Sequence, residues 1–362
     1  MKTKAIVVFG VLLLFSATCL AATLKVPSQY VTVQAAVDIC EDGDTILVAP
    51  EPYDWEAPVL TAKNDVTIMS EGGRDFTFLV RTSVRFYDCN NCRVQGFTFP
   101  GVLIYSSSYI VISDCDFGMA GVYPNQHDSE MNSFNIEIIN NRIHDGRQIA
   151  AIEGQGHLVI LGNEIYDSSG IGIQLWGIGP SVSRIENNVI RNNGWSGVVL
   201  SGDVIVKQNV ITENSGNGIE NPLSCEIAGN TIARNALCGI YFPASDPPTP
   251  DIHHNIISSN GYAGILANGG CNAFIHCNDV WGNSNLGNGN YIGFIPDQTG
   301  FNGNISADPY FCNASGGVYS LAANSPALHA SCGPMGAILI PGCSNQTAVE
   351  HLSWGSIKAL YK

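Results

Sequence analysis

The feature that most constrains this 362-residue chain is a short phrase recurring between Ile136 and Val280: NNRI, GNEI, NNVI, GNTI and HNII, each followed by a second phrase such as GIQL, GVVL or GIYF. The anchor asparagines, Asn141, Asn163, Asn188, Asn209, Asn230, Asn255 and Asn278, stand 22, 25, 21, 21, 25 and 23 residues apart. Repeats of this length describe stacked units, none of which can bury its apolar face alone. The internal phase is tighter than the period. Nine residues separate Asn163 from Gly172, Asn188 from Gly197, Asn209 from Gly218, Asn230 from Gly239, Asn255 from Gly264 and, on the same count, Asn141 from Ala150. Length variation is therefore confined to the third side of the unit.

Two residues past each anchor stand Ile143, Ile165, Ile190, Ile211, Ile232, Ile257 and Val280; ten past stand Ala151, Ile173, Val198, Ile219, Ile240 and Ile265. The first column is β-branched throughout, which suits strands and not helices, and the two read as inward ladders. Short strands with Gly and Asn corners and no helical period predict an all-β, single-stranded right-handed parallel β-helix, a solenoid in which each coil pairs with the next. The 39 glycines, the 17 prolines and a charged fraction of only 13% fit a turn-rich β protein. Asn at a repeated corner tolerates left-handed geometry and can pair with its copy one coil away, so the anchors read as structural. On the same phase Glu153 falls in the column otherwise held by Leu175, Leu200 and Phe242, an acid in an apolar rung and hence a site candidate.

The formal charge of -15 speaks against nucleic acid and anionic membranes as partners, which call for basic stripes. Lys2 and Lys4, the apolar run Ala5 to Phe15 and the small residues Ala21 and Ala22 read as a signal peptide, 1–22. The run is too short to span a bilayer, so the mature chain is expected without membrane insertion, secreted or at the cell surface, or in a periplasm. Twelve cysteines less Cys19 leave eleven, and an oxidising compartment favours disulfides with at least one thiol left over. Cys312, Cys332 and Cys343 gather near the end and read as staples whose connectivity stays open. Cys89 and Cys92 form a lone CxxC without a second pair, and no structural zinc spacing is present.

Along the chain, Val33, Val37 and Cys40 have helical spacing and GDTILVAP comes next as the first strand, so a short helix is expected to plug the open end of the solenoid. This segment, Val26 to Pro50, resembles the opening of secreted pectin-lyase-like right-handed β-helix proteins, and with the Asn ladder the resemblance covers about Val26 to Pro309. The stretch DPYFCNASGGVYSLAANSPALHASCGPMGA is similar to the closing segment of many secreted bacterial β-helix proteins. The expected organisation is a β-helix domain over 23–310, a closing segment over 311–345 and a tail over 346–362. Polar excursions break the rhythm at Gly118 to Phe134, after Leu175 and after Phe242, and loops on a rigid scaffold are where function sits.

Stacking turns sequence offsets into columns. His144, Tyr166 and Arg191 succeed one another at one coil spacing, beside Arg142 and Glu164 and the loop carrying Tyr123, His127 and Asp128. These residue types could support β-elimination or C5 epimerisation of a uronic acid: a cation for the carboxylate (Arg191 or Arg142), a base and an acid (His144, Tyr166). YPNQHD, Tyr123 to Asp128, resembles the YGFDPHD-type motif of mannuronan C5-epimerases, with Asn125 in place of an aspartate and Gln126 of a proline. That resemblance implies Tyr123, His127 and Asp128 as catalytic candidates. Arg142, Arg147, Glu153, Trp176 and Tyr241 are the candidates for substrate binding, the aromatics by stacking on sugar planes. The site calls for no cofactor and no metal; Ca2+, with Asp114 and Asp116 as the nearest acids, is the one ion the sequence allows. The expected function is binding or modification of an extracellular polysaccharide by a monomer, as a uronic-acid-directed lyase or C5-epimerase; the competing class is a non-catalytic surface or glycan-binding module. The catalytic version expects His144, Tyr166 and Arg191 in one groove with Tyr123 and His127.

Overall fold

Alternating apolar and polar residues along each short strand place one row inward and the next outward, and the inward rows build a single continuous core. In this computed structural model, which describes residues 21–54, 58–81, 83–123, 135–176, 182–243, 249–283 and 289–344, the coils stack into three parallel sheets of 12, 11 and 11 strands. One coil runs through a strand of the first sheet, Ile136–Ile139, one of the second, Arg142–His144, and one of the third, Ala150–Gln155. Each pairs in parallel with its equivalent one coil on, as Ile143 does with Ile165 and Ile165 with Ile190. The inward isoleucines Ile143, Ile165, Ile190, Ile211, Ile232 and Ile257 are fully buried. Each contributes roughly 1.5–3 kcal/mol by leaving water. The chain is all-β, a right-handed parallel β-helix.

The anchors form a buried ladder. Asn209 Oδ1 accepts from the backbone N–H of Asn188 (2.9 Å) and from its Nδ2 (3.0 Å), while Asn209 Nδ2 donates to Ile185 O (2.8 Å) and to Asn230 Oδ1 (3.0 Å). The ladder runs from the Cys115 N–H to Asn304, one coil beyond the last anchor expected from sequence. The left-handed geometry belongs to the preceding residue instead: Asn140, Asn187, Gln208, His254 and Cys277 all have φ between 53° and 56°. A second ladder, Asn193, Asn214, Asn235, Asn260 and Asn283, stands at the next corner.

The capping helix, Val33–Ile39, is capped by Thr32 and buries Val33, Ala36 and Val37 in the main core. The first strand is not GDTILVAP: Thr23–Val26 precedes the helix and pairs in parallel with Thr45–Val48. A second correction concerns the coil of Asn141. Ala150 lies beside Ile171 and Ile152 beside Ile173, because the turn after His144 is one residue longer than its neighbours. Ile152, not Ala151, therefore continues the Ile173 column, and Ala151 is buried in the core beside it. Glu153 pairs with Gln174 and Gly154 with Leu175, so Glu153 leaves the apolar rung and joins an outward row.

Toward the C-terminus, Phe311–Asn313 and Val318–Leu321 form an antiparallel pair, and the segment folds back over the late coils of the second sheet. Tyr319 packs on Val210 and Ala233; Leu321, Ala327 and Met335 pack on Ile256. Two disulfides fix it, Cys312–Cys343 within the segment and Cys277–Cys332 to the solenoid. The second sheet is thus covered late and open early. Among the described residues no helix is long and apolar enough to cross a membrane. The tail over 346–362, His127, Asp128 and most of the excursion before Asn135 lie outside the described residues.

Candidate functional site

On the open coils of the second sheet, the outward side chains of Arg142–His144, Glu164–Tyr166 and Val189–Arg191 meet in the expected order. The rings of His144 and Tyr166 stack with centroids 5.0 Å apart, and the Arg191 guanidinium lies 4.5 Å over Tyr166. Every cation here already holds an acid. Arg191 Nη2 is 2.9 Å from Glu164 Oε1, Arg142 Nη1 is 3.0 Å from Asp75 Oδ1, and the two imidazole nitrogens of His144 each lie 2.8 Å from a carboxylate, Asp145 and Asp116. Beside His144 an open depression of about 300 Å³ is lined by Phe78, Phe99 and Phe117. Asp114 accepts from Gln95 Nε2 at 3.0 Å.

Burial alone would lower the His144 pKa, but the hydrogen bonds and charges of Asp145 and Asp116 outweigh it and raise the value above the ordinary one. The stabilisation from these contacts is complete below the unfolded pKa and is lost as pH rises through the higher folded pKa. Imidazole chemical shifts should show a His144 midpoint above that of an unstructured histidine, and Asp116→Asn should lower it; a midpoint at or below the free value would contradict the clamp.

The third sheet presents a different surface. One outward row reads Arg85, Leu103, Gly121, Glu153, Gln174, Val199, Glu220 and Tyr241 in register. The adjoining row holds Tyr87, Tyr105 and Tyr123, whose rings stack at 5.0 and 5.5 Å, and further along Gln155, Trp176 and Ser201. Tyr123 reaches across to the first row. A Cβ on Gly121 would fall 2.6 Å from Tyr123 Cε2, so the glycine makes room for the ring next to Glu153. Burial pushes the Glu153 carboxyl up, and burial followed by the Glu153 charge pushes the Tyr123 hydroxyl up. Gly121→Ala should displace Tyr123 and return its phenol pKa toward the ordinary value, read by ultraviolet titration; an unchanged titration would mean that the ring does not depend on the gap.

Glu220 is held by Ser196 Oγ (2.7 Å) and Asn217 Nδ2 (3.1 Å), and the Tyr241 hydroxyl meets Asn268 Nδ2 at 2.9 Å. Two buried polar atoms in this row, Arg85 Nε and Gln174 Oε1, have no hydrogen-bond partner among the described residues. The strands Ala120–Tyr123, Ile171–Trp176 and Cys238–Phe242, from whose ends the three polar excursions depart, all belong to this sheet.

The sequence candidates are therefore divided. His144, Tyr166, Arg191 and Arg142 share the second sheet, whereas Tyr123, Glu153, Trp176 and Tyr241 share the third; Arg147 is exposed in the turn between them. Tyr123 does not join the His144 groove, because the turn after Phe117 carries its coil from the second sheet to the third. Tyr87, Tyr105, Gln174 and Glu220 were not among the candidates. The tyrosines carry a readable signal, three phrases ending in Tyr at 18-residue intervals, VRFY, VLIY and AGVY.

Residues 79–225 match the family model described as the right handed beta helix region. Taken with the three sheets, this match shows the fold, a right-handed parallel β-helix. Among solved structures, a rhamnogalacturonan lyase aligns with TM-score 0.56 and 10% identity over 80% of this chain and 90% of its own. The pectate lyase Pel9A aligns with TM-score 0.54 and 14% identity over 86% and 91%, and the tailspike receptor-binding protein of bacteriophage Det7 with 0.50 and 12% over 91% and 78%. At these identities the likeness is one of fold. No curated protein matches the sequence.

Proposed function

We propose that this is an exported protein that binds an extracellular polysaccharide along the outward face of the third sheet. The observation that carries the reading is the row on that face: Tyr123, Glu153, Trp176, Glu220 and Tyr241 around two buried polar atoms, Arg85 Nε and Gln174 Oε1, that no group among the described residues satisfies. Buried polar atoms without partners cost about 1–3 kcal/mol each, a cost that a hydroxyl-rich ligand can offset. Coil repeats of about 4.8 Å set outward side chains at regular steps along the axis, a spacing that suits a polymer. The acids on this face and the net charge of -15 favour a chain of low negative charge over a polyuronate. Glu153 and Glu220 are three coils apart, roughly 14 Å. That exceeds the roughly 5–9.5 Å of a hydrolytic acid pair, so the row supports binding.

A second reading places uronate elimination or C5 epimerisation at the His144, Tyr166 and Arg191 stack, and that stack is the observation favouring it. In this geometry His144 has a carboxylate at each ring nitrogen, Asp145 and Asp116, which favours its protonated form and proton donation over base catalysis, and a substrate carboxylate would have to displace Glu164 from Arg191. Both readings are tested by titrating purified protein against neutral polysaccharides, pectate and alginate, with deuterium exchange at C5 and new ultraviolet absorbance followed in parallel. Saturable binding to a neutral or weakly charged chain without exchange is the expected result. Exchange or unsaturated product abolished by Arg191→Ala would replace it with the second reading.

A further inference from the structure

At the corner between the first and second sheets, the left-handed position just before the anchor is held in early coils by Asp114, Asn140, Gly162 and Asn187, residues that adopt this geometry readily. In two successive late coils it is held by His254 and Cys277, whose backbones pair directly (His254 N to Cys277 O, 2.8 Å). The folded-back C-terminal segment brings Cys332 onto the same corner, and a ring nitrogen of His254 and the sulfurs of Cys277 and Cys332 all lie within 4.8 Å of one another.

The hydrogen bonds around His254 define which nitrogen is available. Its Nε2 lies 2.9 Å from the carbonyl oxygen of Cys332, which can only accept, so Nε2 carries the proton and Nδ1 presents a lone pair. Nδ1 in turn accepts from Nδ1 of His253, a second imidazole at the same corner, at 3.0 Å, a hydrogen bond that a metal ion on His254 would replace. A backbone carbonyl that fixes the tautomer and ring orientation of a histidine is the usual outer-shell support of a metal ligand.

We propose that this corner is a redox-gated site for a borderline-soft metal ion of the zinc type, with Cys277, Cys332 and His254 as ligands and His253 adjoining them. With the disulfide formed, the sulfurs are poor donors and the site is closed. A low-molecular-weight dithiol opens it: the S–S bond breaks, each sulfur gains an electron and a proton, and the dithiol is oxidised to its own disulfide. Zinc then binds as the two thiols release their protons, giving two thiolates and one imidazole, a donor set that selects Zn2+ over Mg2+ or Ca2+. Either state ties the C-terminal segment to the last coils. The three ligands come from positions 254, 277 and 332, which is why no zinc spacing stands in the sequence.

The probe is Co2+, whose sulfur-to-metal charge-transfer band reports thiolate ligation, added to the full-length protein before and after reduction by a dithiol that is then removed. Reduced protein is expected to bind one equivalent with the band present, Zn2+ to displace it, and oxidised protein to show none. Cys332→Ser should abolish the band. His254→Ala, which keeps the disulfide during folding, should weaken binding at least tenfold after reduction, whereas Cys89→Ser, at the remote buried thiol pair, should change nothing. A band of equal strength in oxidised protein or in Cys332→Ser, unaltered affinity in His254→Ala, or no band in reduced protein whose circular dichroism is intact, would each overturn the assignment.

Discussion

Asn209→Ala should destabilise the solenoid by about 4 kcal/mol, seen as a lower urea midpoint with an unchanged slope. The side chain is fully buried and accepts from both nitrogens of Asn188 while donating to Ile185 O and Asn230 Oδ1. Alanine removes four hydrogen bonds worth about 1 kcal/mol each, leaves the Asn188 N–H without a partner in a place that water does not reach, and breaks a link between coils on both sides. Gln208→Gly, one residue earlier, should be neutral or stabilising, because φ there is 54° and glycine carries no penalty for it. The pair separates the two roles of the corner. A loss below about 1 kcal/mol for Asn209→Ala would mean that the ladder is ornamental and that the apolar columns alone hold the coils.

The second large effect concerns ligand binding. Replacing Trp176 and Gln174 together by alanine should lower polysaccharide affinity at least tenfold, about 1.4 kcal/mol or more, since it removes a ring fit for sugar stacking and a polar group whose oxygen lacks a partner among the described residues. Arg191→Ala, on the second sheet, should leave the same affinity within twofold, because its guanidinium is committed to Glu164 and Tyr166. Isothermal titration of both variants against the ligand found for the native protein reads this contrast directly, and the reverse pattern would transfer the site to the His144 groove.

The solenoid was legible because its inward columns and buried asparagines repeat at near-constant offsets, and each offset maps onto one physical position. The His144, Tyr166 and Arg191 stack was legible for the same reason and needed nothing beyond coil spacing. Legibility ended where length varies. One extra residue in the turn after His144 shifts the phase of a whole coil, turning Glu153 from a buried oddity into a member of an outward row. Tyr123 was separated from His144 for a related reason: proximity in sequence spans a corner here, while proximity in space runs along columns. The His254, Cys277 and Cys332 corner shows the opposite limit. Two of its ligands occupy equivalent positions one coil apart, but the third arrives from a segment outside the repeat, and its placement depends on apolar packing around Ile256 and Met335 that no period encodes.

The most direct measurement is a crystal structure of the protein with an oligosaccharide of the ligand it binds. The sugar chain should lie along the third sheet, with hydrogen bonds to Gln174 and Glu153 and a pyranose ring against Trp176. Density over His144, Tyr166 and Arg191 instead, with the third sheet bare, would contradict the assignment of the binding face.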